Sequence, residues 1–344
     1  MSNSDFNRPK CRIIVDAMGG DFAPLNAIQG AIDALNENPD FELYLVGKQE
    51  KISKIIDSQK LIFYRENIIN ATQVIDMAEA PTTALKSKPD SSIVVGAKLV
   101  KEGKADAFVS AGNTGAVMAA AALIMGRISG VGRPTIGSFI PNLSGISTLY
   151  DVGASVDSKP RHLLEYAIMG SIFVKEIYGI ENPKVAVLSV GEEETKGNEL
   201  VFAAAELLKK TNLNFIGNVE GRDILKGTAH VVVCDGFVGN VLLKFGEGFL
   251  TFLKTKLKDY AGKSFFNMLK LGLIKSSLKN ILKDFDYQEY GGVPLLGVNG
   301  ICIIGHGSST AKAIKNMVLR AKEMYDKNLV SKIEYSLKNY SNLS

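Results

Sequence analysis

Asp106-Ala-Phe-Val-Ser-Ala-Gly-Asn-Thr-Gly-Ala-Val-Met118, followed by four alanines to Ala122, decides the fold class. Ala107-Phe-Val109 is an apolar run too short for a helix and well suited to a buried strand. The run breaks at Ser110-Ala-Gly-Asn-Thr-Gly115, and Ala116 to Met125 is strongly helix-forming. Asn113 or Thr114 is a natural N-cap, and the small residues around it leave the first N–H groups of the helix open. A strand that ends in a Gly/Ser/Thr turn and feeds a helix N-terminus is a ready anion site. For any one such turn, tight strand–helix packing is the plain alternative.

The device recurs along the chain. Arg12-Ile-Ile-Val-Asp16 predicts a strand closed by Ala-Met-Gly-Gly-Asp21, with Pro24 just inside a helix that runs to about Leu35. Strands are expected at 41–46 and 61–64, with a helix at 49–56 between them. Residues 65–92 read as irregular and polar, with Ala80-Pro-Thr-Thr a loop near a site or interface, and Ser92–Lys101 as a helix. Residues 133–140 and 147–153 form a strand pair around a turn at 141–145, and Asp151 to His162 is a polar turn before the next helix. Lys184–Val190, Asn214–Gly217, His230–Cys234 and Gly300–Ile304 are further strands, with a helix to Lys210 after the first of them. The last two end in Asp235-Gly-Phe-Val-Gly-Asn240 and Gly305-His-Gly-Ser-Ser-Thr310, each opening a helix, the final one over 311–325. This alternation predicts an α/β fold, a mostly parallel sheet flanked by helices. At 344 residues it forms a single α/β unit or two closely joined lobes.

A hydrophobic share of 46% and a charged share of 22% are those of an ordinary soluble protein. No stretch holds the roughly 18 uninterrupted apolar residues of a membrane span. Met1 to Lys10 is polar and lacks the apolar core of a signal peptide. Cys11, Cys234 and Cys302 are odd in number, far apart and set among apolar residues, as befits buried thiols in a reducing cytosol; no CxxC pair suggests zinc. The net charge of +4 is uneven. Lys244 to Lys283 carries nine lysines against Glu247 and Asp259, a local +7 that leaves −3 for the rest. A patch this local points to an acidic partner or an anionic surface.

Polar turns at 16–24, 110–116, 235–240 and 305–310 fall on one edge of a parallel sheet, where open α/β folds bind ligands. Several helix N-termini around one cleft favour an anion. GxxxxGK[ST] is missing, as is GxGxxG after a strand, so ATP or NAD binding by those routes is unsupported and no cofactor is expected. Phosphate or an acyl phosphate suits such backbone-lined pockets better. His162 and His306, both in polar turns, are candidate acid–base or phosphate-contacting groups, with a structural role the alternative for each. His230 reads as structural. Arg133, Lys159 and Arg161 can pair with phosphate or stay solvated, and the Glu192–Glu194 run reads as a solvated turn. The Asp16/Asp21 spacing favours turn capping over a metal site. No GxSxG elbow marks a Ser/His/Asp triad.

Five motifs in order, 15–21, 110–116, 151–154, 234–240 and 305–309, make the chain similar nearly end to end to the phosphate acyltransferase family (PlsX). The resemblance implies a fold like that of phosphotransacetylases and isopropylmalate dehydrogenases. It implies acyl transfer from fatty acyl-[acyl carrier protein] to inorganic phosphate, the entry step of bacterial phospholipid synthesis. It further implies a cytoplasmic homodimer bound peripherally to an anionic membrane surface, a membrane glycerol-3-phosphate acyltransferase as downstream partner, and no nucleic acid. On this reading Asn113 and Thr114 hold phosphate or the thioester oxyanion, and His306, Ser308 and Ser309 line the opposite wall. Asp151, Lys159, Arg161 and His162 come from a facing segment, and His162 or His306 protonates the leaving thiolate. Asp16, Gly19, Gly20, Gly112, Gly115, Asn240 and Gly307 complete the phosphate and substrate contacts, with no metal. The chemistry agrees with the residues: phosphate is already a nucleophile and a thiol a good leaving group, so positioning and oxyanion donors suffice. A short-chain phosphotransacetylase or decarboxylating dehydrogenase on the same fold, and a non-catalytic membrane scaffold, are the alternatives.

Residues 244–285 are least like the rest. Phe249, Leu253, Leu257 and Tyr260 recur at helical spacing, as do Ile274, Leu278, Ile281 and Phe285, with lysines between. Ala261-Gly-Lys-Ser separates the stripes, predicting a helical hairpin that protrudes from the fold, its tip near Phe265, Phe266, Met268, Leu269, Leu271 and Leu273. Apolar residues among lysines suit a membrane surface, and apolar helix faces suit a dimer contact.

Overall fold

The computed structural model describes residues 9–281, 291–340 and 342. Two compact units divide the chain: Met1–Pro134 with Ile172–Glu181 and Gln288–Ser344, and Thr135–Ser171 with Asn182–Tyr287. The first unit opens with β1 (Cys11–Asp16), α1 (Leu25–Glu37), β2 (Phe41–Gly47), α2 (Gln49–Ser58) and β3 (Ile68–Asn70). It continues through α3 (Pro81–Ser87), α4 (Ser92–Lys101), β4 (Ala107–Ser110) and α5 (Thr114–Ala120), which runs on into a π-helical turn, Ala121–Met125. The second unit holds β5 (Thr135–Asn142), β6 (Gly145–Tyr150) and the start of α6 (Pro160–Tyr178), then β7 (Lys184–Leu188), α7 (Glu199–Lys209) and β8 (Asn214–Val219). It closes with α8 (Gly221–Lys226), β9 (Val231–Val233), α9 (Gly236–Gly262) and α10 (Phe265–Ile281). The chain then returns to the first unit as β10 (Val293–Leu296), β11 (Ile301–Ile304), α11 (Ala311–Asp326) and α12 (Leu329–Asn339).

In the first unit the strand order is β3-β2-β1-β4-β11-β10, parallel except for β10. Ile13 lies beside Leu43 and Ala107, and Ala107 beside Ile301, so β1, β4 and β11 end together at Asp16, Ser110 and Ile304. Ile13, Ile14, Val15, Phe108, Val109, Cys302 and Ile303 are buried, which is why these strands read as unbroken apolar runs rather than alternating ones. In the second unit the order is β5-β6-β9-β7-β8, with β5 antiparallel to β6 and the rest parallel. The expected α/β fold, mostly parallel and flanked by helices, is the one observed.

Several local expectations change. Leu61–Tyr64 forms no strand; β3 lies at Ile68–Asn70, aligned with Leu45–Gly47. Ile62 and Tyr64 are 90% and 71% exposed, so that apolar run fills no core position. Ala80-Pro-Thr-Thr is no loop: Pro81 opens α3 at the helix start, where its missing N–H costs nothing. Pro24 is the N-cap of α1 instead of a residue inside it. Gly236–Asn240 is already helical, because the Asp235 carboxylate accepts from the Val238 N–H and starts α9 with only Cys234 and Asp235 between it and β9. His162 likewise sits in the first turn of α6. The short β10, α8 with its Glu220/Asp223 capping box, and α12 were not anticipated.

The hairpin expected over 244–285 is present as α9 and α10. Lys283 and Phe285 lie outside the described residues. Leu253, Leu257 and Leu278 are partly buried along the seam between the helices, together with Leu250, Ala261 and Leu271. Phe249, Tyr260 and Ile274, expected in the same stripes, are exposed. A helix with one neighbour buries only a narrow seam, and among the described residues the wider aromatic stripe has no cover. Helix α9 is long and apolar enough by length and composition alone to cross a membrane, although Lys244 and Glu247 interrupt its apolar run.

Candidate functional site

Three strand-end turns of the first unit touch one another. The β1 turn opens with Asp16, which is buried; its Oδ1 accepts from the Met18 N–H at 3.0 Å and its Oδ2 from the Ser110 hydroxyl at 2.7 Å. Ser110 in turn accepts from the Gly112 N–H at 3.0 Å, so one hydroxyl ties the β1 turn to the β4 turn. Gly19 closes the gap between them. A Cβ there would lie 2.6 Å from the Gly112 nitrogen and 2.7 Å from Asp16 Oδ2, so no larger residue fits without moving the turn. The β11 turn joins through Asp21 N–H, which donates to the Gly307 carbonyl at 2.7 Å, and through Gly305 N–H, which donates to the Ser110 carbonyl at 2.8 Å. Gly20 lies against Gly307 and Ala111, and Asn26 Nδ2 donates to the Ser309 carbonyl. Burial pushes the Asp16 carboxyl up, opposed by hydrogen bonds from Ser92, Ser110 and the Met18 and Gly19 amides.

Asn113 is 5% exposed and caps α5 as expected, its Oδ1 accepting from the Ala116 N–H at 3.0 Å. Its Nδ2 meets the carbonyls of Asp76, Met77 and Glu79 at 3.0–3.1 Å. The carboxamide is therefore engaged in holding protein backbone on both of its polar atoms. Thr114 is exposed, and the Thr114 and Gly115 amides open the helix without an intrahelical acceptor. Gly115 abuts Pro81 of α3, whose outer face bears Thr82, Thr83, Lys86 and Ser87 around an open cavity of about 330 Å³.

His306 is exposed at the head of the β11 turn. Its Nδ1 accepts from the Ser308 N–H at 3.2 Å and lies 2.7 Å from the Ser308 hydroxyl. With Nδ1 the acceptor, the neutral ring carries its proton on Nε2. Ser309 is buried, and Thr310 caps α11 by accepting from the Ala313 N–H.

The remaining expected residues form a second cluster within the second unit. Asp151, fully buried at the end of β6, folds its own turn: Oδ1 accepts from the Gly153 and Ala154 amides and Oδ2 from Ser155 at 2.8 Å. Burial raises its carboxyl against those bonds. Gly239 of α9 meets the Asp151 carbonyl so closely that a Cβ would lie 1.9 Å from it. Asn240 packs beside Gly153 and is exposed, as is Lys159. Arg161 Nε is paired with the nearly buried Glu165 at 3.1 Å. His162 Nδ1 accepts from the Lys159 N–H, and its ring stacks on Tyr166. His230, read as structural, accepts from the Lys184 N–H through Nδ1, and burial lowers its pKa.

Ser110 and the 76–79 segment were missed as site components. Ser110 stood in the quoted motif as a small turn residue; the 76–79 segment had no periodicity to mark it. Among the described residues no cluster of His, Cys, Asp and Glu could hold a metal ion. The arrangement offers a backbone-lined, glycine-tight set of turns with a histidine beside it, suited to holding an anion and placing a proton donor.

Residues 11–332 match the family described as fatty acid synthesis protein. The chain is 52% identical over 324 residues to a phosphate acyltransferase of Heliobacterium modesticaldum, covering 94% of this chain and 96% of that one. It is 51% identical over 331 residues to one of Desulfitobacterium hafniense, covering 96% and 98%. Among solved structures it resembles a phosphotransacetylase of Streptococcus pyogenes (TM-score 0.59, 20% identity, 92% and 94% covered). A phosphotransacetylase of Staphylococcus aureus gives TM-score 0.58 at 16% identity, with the same shares covered. At those identities the structural likeness speaks for the fold alone, and it agrees with the α/β architecture above. With half of its residues shared along almost the whole of both chains, this chain belongs to the phosphate acyltransferase family.

Proposed function

We propose that this chain transfers a fatty acyl group from acyl-[acyl carrier protein] to inorganic phosphate, giving acyl phosphate and the free carrier thiol. The observation that carries the reading is the convergence of the 16–21, 110–115 and 305–309 turns, joined by Asp16–Ser110–Gly112 and by Asp21–Gly307. A phosphate oxygen forms the bond to the thioester carbon, the carbon–sulfur bond breaks, and the thiolate takes up a proton. The Thr114 and Gly115 amides, and Ser308 on the joined β11 turn, suit the phosphate or the oxyanion, and the His306 Nε2–H suits a hydrogen bond to the departing thiolate, which takes its proton from solvent. In the second unit, Lys159 and Asn240 are exposed, whereas Asp151 and Arg161 organise their own surroundings.

We read the α9–α10 hairpin as the surface that meets a second copy of the chain and an anionic membrane, where acyl phosphate passes to a membrane glycerol-3-phosphate acyltransferase. Its exposed apolar residues among lysines support that reading. Purified protein given hexadecanoyl carrier should release thiol only with phosphate present, and chelator should leave the rate unchanged. Release that persists without phosphate, or stops with chelator, overturns the mechanism. A short-chain phosphotransacetylase is the second reading, carried by the fold, and faster turnover of acetyl-CoA than of the hexadecanoyl carrier would select it.

A further inference from the structure

Residues 72–79 run as a strap pinned at both ends. Thr72 donates to the Asp90 carboxylate and Gln73 N–H to the Asp90 carbonyl. Further along, Lys88 Nζ holds the Val74 carbonyl at 2.7 Å and pairs with Glu79, whose carboxyl that bond pulls below its ordinary value. Asp76 N–H donates to the same Glu79 carboxylate at 2.7 Å, and Asn113 takes the carbonyls of 76, 77 and 79. Of the large apolar side chains on this anchored backbone, Ile75 is buried and Val74 half-buried, while Met77 is left 47% exposed. The methyl of Met77 lies 3.0 Å from where a Cβ of Gly307 would be, and Asp21 Oδ1 lies at the same distance. Gly307 thus sits between a carboxylate and a thioether, within the turn that carries His306.

A partly exposed methionine on a pinned strap fills no core, and its flexible, polarizable side chain suits a partner of variable shape. We infer that Met77 is a specificity-determining residue that packs on the first methylenes of the acyl chain, next to the thioester carbonyl. The inference rests on the proposed reaction and adds the residue that feels the acyl group. Asn113 is on this view a positioning residue, acting through the strap.

Met77→Ala and Met77→Leu, assayed as purified full-length chains with hexadecanoyl carrier, test it. Because the side chain is partly exposed, both variants should keep the wild-type unfolding midpoint. Met77→Ala should raise KM for the acyl donor about ten-fold, the usual scale for lost contact in an apolar pocket. Its KM for phosphate, and its inhibition by free carrier, which has the thiol arm without the acyl chain, should stay at wild-type values. Met77→Leu, nearly isosteric, should restore most of the loss. A donor KM within two-fold of wild type overturns the inference, as does a parallel weakening of phosphate or free-carrier binding. Wild type that shows no phosphate-dependent release overturns the proposed reaction instead.

Discussion

Asn113 carries two loads, the cap of α5 and the carbonyls of the 76–79 segment. Losing an N-cap typically costs about 1 kcal/mol, and here three carbonyls lose their donor as well. Asn113→Ala should therefore lower both the unfolding midpoint and turnover. His306→Ala removes an exposed ring whose bonds to Ser308 stay within its own turn, so it should nearly keep the midpoint and lose turnover by roughly 100–1000-fold, the usual cost of one placed donor. Near-native rates in both variants would refute the placement of the site on these turns. Asp16 makes a separate prediction. Burial raises its carboxyl above the ordinary 3.8, so its contribution to stability is fully present below that value and is lost as pH rises through the folded value. Asp16→Asn keeps an acceptor for the Met18 N–H and removes the buried charge. In urea unfolding, its stability relative to wild type should grow from pH 4 to pH 7. A difference that shrinks over that range would mean the hydrogen bonds outweigh burial.

Among the described residues, the outer faces of the α9–α10 hairpin have no cover. The seam takes Leu253, Leu257 and Leu271, while Phe249, Phe266 and Leu269 stay more than half exposed. Lys256 lies over the Phe252 ring at 5.4 Å, an exposed cation–π contact that keeps a positive charge on the aromatic face. Each lysine near an anionic leaflet contributes about 1 kcal/mol, and buried apolar side chains add to it. Wild type should float with anionic vesicles and detach as salt rises, and Phe266→Asp/Leu269→Asp should float less. Equal flotation of the two, or none by wild type, would leave only the dimer contact, which light scattering of the same variant reads directly.

Over the whole molecule, the sequence by itself determined the α/β class, most strand positions and the polar turns that form the candidate site. The reason is local: a fully buried parallel strand is a continuous apolar run, and the residues that end it must be small or polar to turn. The Asn113 cap, the Asp235 turn into α9 and the hairpin break near Lys263 were legible on the same ground. Tertiary structure decided what pairing and burial require. Leu61–Tyr64 and Ile68–Asn70 are both short apolar stretches, and only alignment with β2 selects the second as a strand. The commitment of the Asn113 amide to residues 76–79, the bridge of Ser110 to Asp16 and the place of Met77 beside Gly307 join positions from 34 to more than 200 residues apart. Contacts of that span leave no periodicity in a sequence. They exist only once the sheet has set β1, β4 and β11 side by side and brought their ends to one edge.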